Sequence, residues 1–167
     1  MPLDALPGLG PVRLRPIGAD DGPALVRYFE RLTPEDVRLR FFAPLRSLST
    51  RQLERFLRVD GERERAYVLV AAENGRDAIL SVARLATGPG TDRAEFAVSV
   101  RSDLKGRGIG RFMLAHLIEE ARRQGLREIF GDILEENAPM LALSRGLGFA
   151  LAPVIENAAI IRATRAL

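Results

Sequence analysis

The stretch LKGRGIGRF, residues 104–112, places glycines at positions 106, 108 and 110 between an apolar run and an amphipathic one. Glycine weakens regular structure, tolerates left-handed backbone, and lets another group approach the main chain closely. The chain must therefore turn here, between the run RAEFAVSV ending at Val100 and a helical stripe of Met113, Leu114, Leu117, Ile118 and Ala121. A strand, a bare turn and a helix in that order make an anion site. The first N–H groups of a helix lack internal partners, and its dipole is positive at that end. Three readings of the turn compete: a flexible connection, a dinucleotide-type phosphate loop, or the pyrophosphate cradle of an acyl-coenzyme A enzyme. A dinucleotide loop wants G-x-G-x-x-G after the first strand of a parallel sheet. Here the spacing is G-x-G-x-G, in mid-chain, and the P-loop pattern is absent.

The flanking patterns set the architecture. VRLRPI alternates and stops at Pro16, as a first strand does. GADDGP then opens a helix with Leu25, Val26, Phe29 and Leu32 at helical spacing. Thr33-Pro34-Glu35-Asp36 starts a second helix, whose face Leu39 and Phe42 continue up to Pro44. Ser49 with Gln52 fits a capping box for a third, striped by Leu53, Phe56 and Leu57. RAYVLVAA and DAILSVARLA flank an Asn-Gly pair, a hairpin signal. After the glycine loop a helix opens near Arg107 and ends at Gly125. REIFGDIL reads as a strand, Asn137 opens another helix closed by GLGF, and the tail forms a hairpin. Consecutive middle strands predict antiparallel pairing, and the unit from 94 to 134 predicts one parallel crossover. The expected fold is α/β (α+β), a mixed, mostly antiparallel sheet of about seven strands flanked by helices, in a single domain spanning 1–167.

Composition narrows the functions. The chain has no cysteine, so disulfides, thiolate nucleophiles and cysteine–zinc sites are excluded. A net charge of +3, without a dense basic run or aromatic interleaving, argues against nucleic acid. No apolar run approaches the roughly 18 residues of a membrane span. The N-terminus MPLDALPGLGPVRLRPI lacks the pattern of an export signal, so a cytoplasmic protein is expected. His116, the one histidine, lies among apolar helical residues and reads as packed. The arginines from Arg38 to Arg58 read as solvated helix faces, or as a surface for an acidic protein.

From Glu95 to Phe149 the chain resembles the GNAT superfamily of N-acetyltransferases. The superfamily's coenzyme A motif, Gln/Arg-x-x-Gly-x-Gly/Ala after the fourth strand, matches Lys105, Gly108 and Gly110. Its second motif, an Asn-initiated helix ending in GF, matches NAPMLALSRGLGF. The stretches LRFFAPLRSLSTRQLERFLRVD, AEFAV and EIFGDILEENAPML resemble the bacterial Pat-type protein lysine acetyltransferase domain. The chain departs from that pattern at Gly61, Leu104 and Lys105, where an aromatic, Trp and Gln are common.

The resemblance implies acetyl-CoA as cosubstrate and no metal. It implies acetyl transfer to a lysine of a protein substrate such as an acyl-CoA synthetase, and it allows a homodimer. Glu95 would be the general base and the Val98 N–H the donor to the thioester oxygen. Val98 and Val100 would hold the pantetheine arm. Lys105, Gly106, Arg107, Gly108, Ile109, Gly110 and Arg111 would hold the pyrophosphate, and Asn137 would contact the cofactor. The position that often supplies a tyrosine acid to the leaving thiolate holds Ser144, a poor acid. Lys105, the sole lysine, would be the only side chain able to accept acetyl if the enzyme modified itself. Alternatives are acetylation of a small amine or a protein N-terminus, or a non-catalytic acyl-CoA sensor.

Overall fold

The computed structural model describes residue 6 and residues 8–167. The reading of the N-terminus as free of an export signal falls partly on residues 1–5 and 7, outside the described residues. The elements run β1 (Val12–Pro16), a 3-10 turn (Ala19–Asp21), α1 (Gly22–Glu30), α2 (Pro34–Phe41), α3 (Thr50–Leu57), β2 (Glu64–Glu73), β3 (Arg76–Thr87) and β4 (Arg93–Val100). A second 3-10 turn (Ser102–Leu104) leads to α4 (Ile109–Arg123), β5 (Glu128–Leu134), α5 (Ala138–Gly146), β6 (Ala150–Val154) and β7 (Asn157–Ala166). The seven strands form one sheet in the order β1-β2-β3-β4-β5-β7-β6. All neighbours are antiparallel except β4 and β5, which α4 joins as the crossover.

Local chemistry explains most boundaries. Asn74 and Gly75 both take positive φ (52° and 72°), the geometry that joins twisted antiparallel strands through two residues. Ser49 and Gln52 cap α3 reciprocally, each side chain meeting the other residue's backbone N–H. Two boundaries differ from the sequence expectation. The α4 helix opens at Ile109 rather than near Arg107, because Gly108, with φ 81°, is its N-cap. The α2 helix ends at Phe41, and Phe42 turns left-handed (φ 59°) with its N–H closing on Arg38 O. Phe42 therefore leaves the apolar stripe, and its ring is exposed.

Helices cover both faces of the sheet. On one, α4 buries Met113, Leu114, Leu117 and Ala121. On the other, α1 and α3 close a second core around Leu25, Tyr28, Val68, Val70 and Ile79. His116 stands edge-on to Tyr67, ring centroids 4.4 Å apart, on the face of α4 that meets the sheet. Burial, reinforced by the nearby Arg123 charge, pulls its pKa down. No helix among the described residues is long and apolar enough to cross a membrane.

Candidate active site

The site begins where the sheet comes apart. β4 and β5 pair through three residues only, Arg93↔Glu128, Ala94↔Ile129 and Glu95↔Phe130. β4 stays paired with β3 up to Val100, and β5 stays paired with β7 up to Leu134. The wedge is Phe96. Its ring lies against Gly131, where a Cβ would come within 2.6 Å of it, and packs edge-to-face on Phe149 at 5.2 Å. Beyond Glu95 the two strands diverge around a cleft of about 610 Å³, a size that small-molecule sites commonly have.

The splay exposes backbone. Arg101 N–H donates to Leu80 O on the β3 side (2.9 Å), and Ser99 O accepts there from Ser81 Oγ (2.7 Å). Successive residues of a strand present their N–H and C=O groups to opposite edges. Those of Phe96, Val98 and Val100 therefore point away from β3, into the opening that β5 has left. Val98 and Val100 are half-buried and line the cleft.

At the far end of the cleft lies the glycine loop. Gly106 and Gly108 have φ of 76° and 81°, where a side chain would be strained. Gly110 sits in the first turn of α4, where a Cβ would already be 3.3 Å from Leu143 and 3.7 Å from Val100. No side chain caps α4, so its leading N–H groups and dipole are open to an anion. These glycines and Ile109, with Arg111, all line the cleft. This bare cradle and the run of free strand amides fit the two parts of acyl-coenzyme A, a pyrophosphate and an amide-bearing arm.

The remaining expected residues take distinct places. Glu95 is exposed at the last pair of the β4–β5 ladder, and its carboxylate has no hydrogen-bond partner among the described residues. Asn137 caps α5, its Oδ1 accepting from Met140 N–H (3.2 Å), and also lines the cleft. Arg111 donates to Gly146 O (3.2 Å), tying α4 to the end of α5. Arg107 reaches Gly8 O (3.3 Å) and is not part of the cleft wall. Lys105 lines the cleft beside Gly106 and pairs with Asp36 of α2, which also accepts from Ser102 Oγ. Burial opposes ionisation of Asp36, yet the Lys105 and Ser102 hydrogen bonds hold its pKa below the ordinary carboxylate value. Arg31–Asp103 (3.0 Å) and Thr33 N–H to Ser102 Oγ (2.9 Å) bolt the same turn to α1 and α2. Ser144 is fully buried, its Oγ unpartnered; Met140 and Leu143 face the cleft instead.

Two further cleft residues were not expected there: Arg40, read from the sequence as part of a solvated helix face, is instead half-buried, and Asp132 carried no sequence signal. Arg40 on α2 lines the cleft without an ion pair among the described residues, its guanidinium within the field of the Glu95 carboxylate. Burial pushes the Arg40 guanidinium pKa down. Asp132 faces the cleft, gripped by Arg162 through two bonds of 2.7 and 2.8 Å. Each depends on contacts between elements distant in the chain.

Residues 27–149 match the acetyltransferase (GNAT) family. The chain belongs to the GNAT family. As a GNAT acetyltransferase it is 28% identical over 138 residues to a Pseudomonas aeruginosa protein named only as an acetyltransferase, covering 83% of this chain and 74% of the relative. It is 29% identical over 85 residues to the ribosomal protein bS18-alanine N-acetyltransferase of Escherichia coli, covering 51% of this chain and 55% of that enzyme. Among solved structures, the GNAT domain of S. lividans PAT superposes with a TM-score of 0.84 at 27% identity, covering 93% of this chain and 90% of that one. The predicted GNAT fold, with its seven-stranded, mostly antiparallel sheet, is the fold observed.

Proposed function

We propose that this GNAT enzyme transfers acetyl from acetyl-CoA to the ε-amine of a lysine in a protein, with an acyl-CoA synthetase as the acceptor class. The observation that carries the reading is the placement of Glu95. It is a free carboxylate at the point where β4 leaves β5, beside the outward amide of Val98. The likeness to the S. lividans PAT domain over nearly the whole chain supports the choice of lysine.

The chain's residues divide the work. Leading N–H groups from Gly106 to Arg111, with the α4 dipole and Arg111, hold the pyrophosphate. The backbone groups of Val98 and Val100 align the pantetheine arm as an added strand would, and Asn137 contacts it from α5. The acceptor amine, charged near neutrality with a reference pKa of about 10.4, must lose a proton to attack. Glu95 accepts it directly or through one water. The Val98 N–H meets the negative charge developing on the carbonyl oxygen, a contribution of roughly 3 kcal/mol in a dry site. The C–N bond forms, the C–S bond breaks, and the thiolate takes its proton from water, since Ser144 is sealed in the core.

Mass spectrometry of a purified acyl-CoA synthetase incubated with acetyl-CoA and the enzyme tests this. Acetylation at a defined lysine supports the reading. Acetylation at a protein N-terminus, the reaction named for the Escherichia coli relative, would replace it.

A further inference from the structure

Beside the cleft lies a larger groove of about 1110 Å³, walled by α3, the segment that follows it, and the turn between β3 and β4. Glu95 is the one described residue that lines both openings. A group in the groove therefore meets the carboxylate from the side opposite the glycine loop. The groove is open and exceeds the roughly 300–1,000 Å³ of ordinary small-ligand sites, which suits a length of polypeptide.

Its wall has a distinctive charge pattern. α3 turns Leu53, Phe56 and Leu57 onto the core, and Arg84 anchors the helix end through Phe56 O (2.7 Å). Arg51, Arg55 and Arg58, at spacings of four and three, then share the opposite, groove-facing stripe. Arg63 joins them from the bend just before β2. All four are exposed, and none makes an ion pair among the described residues. Nearby arginines do: Arg84 pairs with Glu64 and Arg93 with Glu128. The Asp60 carboxylate is committed to three backbone N–H groups, from Glu62, Arg63 and Glu64. Of the other acids on the wall, Glu64 is paired and Glu95 stands at the cleft, leaving Glu54 against four free cations.

We propose that this groove docks the acceptor and selects a lysine embedded in acidic sequence. Asp or Glu side chains within a few residues of the lysine pair with Arg51, Arg55, Arg58 and Arg63, while the lysine reaches Glu95 past Phe130. The Phe130 ring lines the groove and is flanked by the Arg93 and Arg162 guanidinium groups, at 4.9 and 5.2 Å. It gives the aliphatic lysine stem an apolar surface. Single exposed ion pairs are weak, but four on one wall also raise the local concentration of an acidic segment and disfavour a basic one. The inference deepens the lysine-acetyltransferase reading and rests on it.

Two synthetic peptides test it, each with one lysine and a blocked N-terminus, the lysine flanked by Asp and Glu in one and by Ser and Gln in the other. Release of free coenzyme A thiol is followed for the wild type and for Arg55→Glu/Arg58→Glu. The acidic peptide should show a kcat/KM about 10-fold higher, carried by KM. Raising the salt to about 1 M should erase the preference, as screening requires. The charge reversal should invert it. Equal use of the two peptides by the wild type overturns this inference while leaving lysine acetylation standing. Acetylation of neither overturns the lysine reading and this inference together. A preference that survives both salt and charge reversal also overturns it.

Discussion

Glu95→Gln should lower kcat about 100- to 1,000-fold while leaving the dissociation constant of acetyl-CoA within about twofold of wild type. The amide has nearly the shape of the carboxylate but cannot accept the proton that the attacking amine must shed. The Glu95 carboxylate also makes no hydrogen bond or ion pair among the described residues, so folding does not depend on its charge. The cradle is built elsewhere, from the loop glycines and the outward amides of β4, and it survives the change. Steady-state thiol release and calorimetric titration separate the two effects. Equal losses in turnover and cofactor affinity would mean that Glu95 organises the cleft rather than serving the reaction. Unchanged turnover would remove it from the mechanism.

Gly131→Ala should be among the most damaging single-methyl additions in the protein, destabilising it by about 1–3 kcal/mol. The new Cβ would fall 2.6, 2.7 and 2.9 Å from three atoms of the Phe96 ring. That ring cannot retreat freely, because it is buried and packed on Phe149. The two strands must spread further or the ring must leave its seat. Phe96→Leu in the same chain should restore part of the loss, giving a coupling that two independent sites would not show. Urea denaturation of the two single variants and the double variant measures it. Additive effects would show that Phe96 and Gly131 do not form the wedge.

These two sites also show how far the sequence could be read. The hairpin turn at Asn74-Gly75, the Ser49–Gln52 cap and the break at Gly106, Gly108 and Gly110 are local signals. Each residue's own conformational preference or nearest-neighbour hydrogen bond decides the outcome. The divergence of β4 from β5 is not local. It arises because Phe96 and Gly131, far apart in the chain, meet at adjacent strand positions. Lys105 illustrates the same limit. Its place beside the glycine loop was legible, but its ion pair with Asp36, on a helix 69 positions earlier in the chain, was not. Ser144 fell in the expected position of α5, but the rotation of α5 that buries it and turns Met140 and Leu143 to the cleft depends on packing. The stripe of Arg51, Arg55 and Arg58 was visible as a helix face. What it faces, a groove ending at Glu95, required the sheet.

The claim on which the account rests is that acetyl-CoA lies in the splay between β4 and β5 with its phosphates at the glycine loop. Titrating acetyl-CoA into ¹⁵N-labelled protein and following backbone amide resonances tests this directly. The account predicts the largest shifts at Val98, Val100 and Gly106 to Arg111, saturating together, with α3 little affected. Shifts confined to the α3 groove, or none at saturating acetyl-CoA, would contradict it.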